Sequence, residues 1–167
     1  MELSIVIPCL NEIETIEICI NKCKTVLQKK NIKGEIILAD NGSTDGSIEK
    51  AKELGVKIVN IRDKGYGNAL KGGINSATGK YIIMADCDNS YDFLQLDKFY
   101  NKLKSGFDIV QGCRFPIGGG TIEEKAMPVS HKYIGNPIFS FMSKIFFSLP
   151  FNDVYCGFRG FDRIKFL

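Results

Sequence analysis

Tyr81, Ile82, Ile83, Met84 and Ala85 form an unbroken apolar run that stops abruptly at Asp86, Cys87, Asp88 and Asn89. A run this short, without polar alternation, suits a strand covered on both faces, as in a parallel sheet. Two carboxylates at the end of a buried strand are costly unless a cation or a set of donors meets them. In open α/β sheets ligands bind beyond the carboxyl ends of the strands. Magnesium and manganese are held by one or two carboxylates together with substrate phosphates. The Asp86-x-Asp88 spacing therefore suits a divalent cation clamping a diphosphate. Alone, such a pair more often marks a turn with an Asx cap.

With 167 residues, 44% hydrophobic and 25% charged, the chain has the composition of one ordinary globular domain. Its net charge of +3 makes no case for nucleic acid and does not oppose an anionic substrate or a membrane surface. An apolar strand begins by Leu3, with no basic leader and no cleavable signal pattern. The six cysteines (Cys9, Cys19, Cys23, Cys87, Cys113 and Cys156) are scattered without a Cys-x-x-Cys pair, and there is one histidine, so a zinc site is not expected. Free buried thiols in a reducing cytoplasm are the expectation.

Residues 3–7 read as a first strand stopped by Pro8, with Asn11 and Glu14 as the capping pair of a helix. Ile13, Ile16, Ile20, Cys23 and Leu27 recur at steps of three and four and define that helix's apolar face. Residues 35–39 form a second strand that also runs into an aspartate, Asp40. Beyond it Gly42 and Gly46 allow unusual dihedrals, while Ser43 and Asp45 can cap a short helix that ends at Gly55. A third strand covers residues 56–61, and a glycine-rich loop then enters another helix. Gly65 and Gly67 match part of a dinucleotide fingerprint, but Leu70 replaces its third glycine and the unit is not the first βα, which disfavours a nicotinamide cofactor. A helix at 94–103 and a strand at 107–111 continue the alternation. The pattern predicts an α/β fold, a mostly parallel central sheet flanked by helices.

From Pro116 the character changes. Gly118, Gly119, Gly120 and a polar stretch through Glu124 suit a flexible loop or lid. Residues 132–151 are strongly apolar, with Pro137 fitting a helix's first turn after Asn136. Lys144 and three serines interrupt this segment, which is short for a membrane span. Its phenylalanines nearly encircle the helix, which predicts burial on one side and an interfacial role on the other, at a membrane or in a homodimer. Residues 154–161 suit a further strand or turn.

Four segments occur in order: PCLNE at 8–12, ADNGSTDGS at 39–47, GYGNA at 65–69 and ADCDNSYD at 85–92. The set resembles family 2 glycosyltransferases of the GT-A fold. GCRF at 112–115, HKYIGNP at 131–137 and DVYCGFRGF at 153–161 resemble the dolichyl-phosphate mannose synthase and polyprenyl-phosphate sugar transferase branch. The resemblance implies a single GT-A-like catalytic domain over residues 1–167, with a nucleotide-sugar-binding part at 1–115 and an acceptor-side part at 116–167. Relatives of that branch continue past CGFRG into further elements, so the acceptor-side part is expected to be incomplete.

Carried over by motif, Pro8, Leu10, Asn11 and Glu12 border the nucleotide pocket and Asp40 contacts the base. Asn41 stands where the family often has a second aspartate. Lys64, Gly65 and Asn68 line the nucleotide, as do Asp86 and Cys87. Asp86 and Asp88 are the implied ligands of Mg2+ or Mn2+, Asp88 the more direct one. Arg114 and Arg159 match arginines near phosphates, and with Asp88 and Asp153 they make up the implied catalytic set. The implied activity is inverting transfer from a UDP- or GDP-sugar to a polyprenyl or dolichyl phosphate at the cytoplasmic face of a membrane. A phosphate acceptor is already anionic and needs no strong base. A hydroxyl acceptor, in polysaccharide or glycolipid synthesis, needs a carboxylate, for which Asp153 stands by position; it suits a turn or a salt bridge to an arginine equally well. A nucleotide-binding fragment without transfer is the third reading.

Overall fold

The computed structural model of the protein describes residues 1–120, 122 and 128–166. In chain order its main elements are β1 (Leu3–Cys9), α1 (Ile16–Lys29), β2 (Gly34–Asp40), α2 (Ser47–Glu53), β3 (Lys57–Asn60), α3 (Tyr66–Asn75), β4 (Tyr81–Met84), α4 (Leu96–Lys104), β5 (Ile109–Gln111), α5 (Asn136–Phe147), β6 (Arg159–Asp162) and α6 (Arg163–Phe166). Two compact units divide them, one of Met1–Val110 with Phe158–Leu167 and one of Gln111–Gly157.

Among the described residues the strands form one sheet in the order β3-β2-β1-β4-β6-β5. β1 pairs in parallel with β2 and β4, β2 in parallel with β3, and β6 lies antiparallel on β4. The order reverses between β1 and β4, the kind of switch point beside which open α/β sheets bind ligands beyond the carboxyl ends of their strands. One face of the sheet carries a core of Val6, Ile37, Ile82, Met84 and Phe161 with Ile74 and Ala77. Gly73 lets α3 lie directly on this face, since a Cβ there would stand 2.5 Å from Val6 Cγ1. Phe158 stacks on Phe99 at 4.1 Å, joining the entry to β6 to α4.

Several local expectations change. Pro8 lies inside β1 rather than ending it. The Val6 carbonyl accepts from Ala85 N–H, so Pro8, two residues on, faces the same side, where β4 has already ended at Met84. Its missing N–H therefore removes no ladder bond. In α1 the buried set is Ile16, Cys19, Ile20, Cys23 and Val26; Ile13 is exposed and Leu27 only half-buried.

In the second unit a π-helical turn at His131–Gly135 leads into α5. The buried residues of α5 are the polar Asn136 and Ser140, while Phe141, Phe146 and Phe147 are 63%, 68% and 73% exposed. The expected burial of one apolar side is thus not found. Residues 121, 123 and 124 of the expected lid lie outside the described residues. Among the described residues no helix is long and apolar enough to cross a membrane.

Candidate functional site

Because β1, β2 and β4 run parallel, the segments that follow them leave the same edge of the sheet. The first two of these segments interlock. Asn11, at φ 59°, donates its N–H to Ser43 Oγ at 3.0 Å and accepts from Thr44 N–H at 2.8 Å. Glu12 N–H donates to Ser47 Oγ and Ile13 N–H to Asp45 Oδ2, both at 2.9 Å. Asn11 is therefore a cross-link between two loops, and α1 begins five residues later, at Ile16, without a side-chain cap.

Asp40 is buried, and its carboxylate shapes the turn that follows it. Oδ2 accepts from Gly42 N–H at 2.8 Å and Oδ1 from Ser43 N–H at 3.1 Å. Asn41, 4% exposed, reaches the next βα loop: Nδ2 donates to the carbonyls of Ile61 at 3.2 Å and Asp63 at 2.9 Å, and Oδ1 accepts from Gly65 N–H at 2.7 Å. Lys64 Nζ donates to the Asn41 carbonyl at 2.6 Å, and Asn68 Nδ2 to the Lys64 carbonyl at 3.0 Å. Gly42 suits its φ of 98°, and a Cβ there would displace Lys64 Nζ from its place beside the turn.

Beyond β4, Asp86 is half-buried, Cys87 buried and Asp88 exposed. Asp86 Oδ1 accepts from the Tyr66 hydroxyl at 2.6 Å. Burial and this carboxylate push the Tyr66 phenol well above its usual range. Asp88 Oδ1 accepts from Ser90 N–H at 2.9 Å, the Asx turn that its residue type favours. Beneath the turn Cys87 meets Cys9 and Cys19, and Cys19 Sγ donates to the Cys87 carbonyl at 3.3 Å. Contact with the other two thiols pushes the Cys87 thiol up, and contact with Cys87 brings those of Cys9 and Cys19 down. All six cysteines are free thiols.

Two carboxylates on one turn are a donor set suited to Mg2+ or Mn2+, which complete their shells with water and phosphate oxygens. Among the described residues no group of three or more His, Cys, Asp or Glu side chains could cage a metal. The residues thus fit a cation that arrives with a diphosphate. Arg159 opens β6 opposite Met84, two residues before Asp86.

In the second unit Asp153 is 1% exposed and bound to Arg114 on both oxygens. Arg114 Nε donates to Oδ2 at 2.7 Å, Nη2 to Oδ1 at 2.8 Å and the Arg114 N–H to Oδ2 at 3.0 Å. The salt bridge expected as one alternative for Asp153 is formed, and so is a turn, in which Cys156 N–H donates to the Asp153 carbonyl at 3.0 Å. A cavity of about 430 Å3 is lined by Arg114, His131, Asn136, Phe139 and Tyr155. Sequence reasoning missed Tyr66 and the bridging role of Asn41. Tyr66 stood in view between Gly65 and Gly67, but its partner is 20 residues away.

The fold is that of the GT-A glycosyltransferases. Mannosyl-3-phosphoglycerate synthase from Rubrobacter xylanophilus superposes with a TM-score of 0.78 at 20% identity, over 99% of this chain and 54% of that one. Glucosyl-3-phosphoglycerate synthase from Mycobacterium tuberculosis, solved with Mn2+, UDP and phosphoglyceric acid, gives 0.74 at 20% identity, over 98% and 56%. Residues 4–166 match the family described as Glycosyl transferase family 2, and the chain belongs to that family. Low-salt glycan biosynthesis hexosyltransferase Agl6 of Haloferax volcanii is 37% identical over 162 residues, 96% of this chain and 38% of that protein. Dolichol-phosphate mannosyltransferase of Pyrococcus furiosus is 32% identical over 128 residues, 74% of this chain and 36% of that protein. The chain thus spans little more than a third of the length of these curated relatives.

Proposed function

We propose that the chain forms the donor-binding part of an inverting hexosyltransferase that moves a sugar from a UDP- or GDP-sugar to a polyprenyl or dolichyl phosphate. The observation that carries this reading is the Asp86–Asp88 turn at the same sheet edge as the interlocked loops of β1 and β2. The family match and the relatives named for hexosyl transfer support it. Pro8, Leu10, Asn11, Glu12 and Asp40 would border the base and ribose, and Lys64, Gly65, Asn68 and Cys87 the rest of the nucleotide. Asp86 and Asp88 would hold Mg2+ or Mn2+, which when bound supplies positive charge to the departing diphosphate. Arg159 would add its guanidinium to the same leaving group, and Arg114 would meet the acceptor phosphate. The exposed apolar residues of α5 favour work at the cytoplasmic membrane face, with self-association as the competing use of that face.

A phosphate acceptor suits the state of Asp153. A hydroxyl acceptor would have to reach a buried carboxylate oxygen that Arg114 already occupies before Asp153 could take its proton. Calorimetric titration with UDP and GDP, with and without MnCl2, tests the donor site. One nucleotide should bind, and binding should be lost without Mn2+ or in Asp88→Ala. Sugar transfer to polyprenyl phosphate but not to hydroxyl acceptors then supports the acceptor class, and the reverse preference would sink it.

A further inference from the structure

We propose that Tyr66 is a positioning residue for Asp86, the end of a brace that runs from the end of β2 to the end of β4. This rests on the donor-site reading above. The brace starts at Asn41, whose Oδ1 accepts from Gly65 N–H at 2.7 Å. Gly65, at φ 123°, turns the chain so that Tyr66 opens α3. β1 lies between β2 and β4, so the tyrosine spans the carboxyl end of the central strand to reach Asp86 Oδ1 at 2.6 Å. An O–H donor to a carboxylate at this length is a charge-assisted bond, stronger than a neutral one.

Asp86 stands half-buried just beyond the four-residue strand β4, at the start of an exposed turn. The Tyr66 hydroxyl holds one oxygen and thereby sets the direction in which the carboxylate meets a cation. Hydrogen-bond partners of metal-binding carboxylates tune affinity in this way, and losing one typically weakens metal binding about 10- to 100-fold. The competing use of Tyr66, which is 54% exposed, is direct contact of its ring with the nucleotide.

The two roles separate on Tyr66→Phe, which keeps the ring and removes the hydroxyl. The measurement is the Mn2+ concentration that gives half-maximal binding of UDP or GDP, whichever binds, in wild type, Tyr66→Phe, Asp86→Asn and the double variant. The thermal midpoint of each is recorded to show that it is folded. The expected result is a rise of about 10-fold or more in Tyr66→Phe and no further rise when Tyr66→Phe is added to Asp86→Asn. An unchanged Mn2+ requirement in Tyr66→Phe, or the same rise in the Asp86→Asn background, overturns the positioning role while leaving the donor site standing. Wild type that binds neither nucleotide with Mn2+ overturns the donor-site reading and this proposal together.

Discussion

Asn41 shows how much one amide can hold together. Its nitrogen donates to two carbonyls and its oxygen accepts from Gly65, so each end of the group has the polarity its neighbours need. Aspartate has nearly the same shape but no donor, and would set a carboxylate against the Ile61 and Asp63 oxygens where water has little access. Asn41→Asp should lower stability by about 1–3 kcal/mol, read as a lower urea midpoint at unchanged slope. Asp153 shows the same principle with a charge. A carboxylate that is 1% exposed is tolerable there because the Arg114 guanidinium and N–H meet both of its oxygens. Residue type alone left Asp153 between base and ion pair, and the ion pair with Arg114 is present.

Elements are joined by a few polar bonds at the end of the sheet away from the candidate site. Glu35 Oε1 accepts from Ser4 Oγ at 2.7 Å, Thr78 Oγ1 at 2.6 Å and Thr78 N–H at 2.8 Å, tying β2 to β1 and to the entry of β4. Burial opposes ionisation of Glu35, but these donors and Lys57 outweigh it and hold its pKa below the usual glutamate value. A lowered folded-state value means that the contribution is fully present above the unfolded value of 4.5 and is lost as pH falls through the folded one. The stability gap between wild type and Glu35→Gln should therefore be constant near neutrality and shrink below about pH 4.5, as measured by urea unfolding across pH. A gap that widens on acidification would refute this assignment. At the other extreme stands α5, 12 residues and so roughly 18 Å long, against a hydrocarbon core of about 30 Å. Its phenylalanines were legible as an apolar helix, but not their exposure, because burial depends on what packs against a helix.

For the whole molecule, the proposed donor site makes stability depend on ligand. A nucleotide that binds only the folded chain, at 100 times its dissociation constant, adds about 2.7 kcal/mol. The thermal midpoint should rise when Mn2+ and the preferred nucleotide are added together, and should not rise in Asp88→Ala. An equal rise in that variant would place the ligand elsewhere.

Short-range chemistry in the sequence was enough for the alternation of strands and helices, the parallel character of β1 to β4 and the aspartates at strand ends. Apolar runs, glycines and capping residues act on their immediate neighbours, so they can be read in order along the chain. Motif order carried the family, which residues 4–166 then matched. Tertiary structure decided what depends on distant partners. β6 enters the sheet antiparallel beside β4 although 74 residues lie between Met84 and its register partner Arg159. Asn11, a reasonable cap by local pattern, is held by Ser43 and Thr44, and Asp86 by Tyr66. Such pairs form only when the sheet brings separate strand ends to one edge, and no local propensity encodes which residues then face each other.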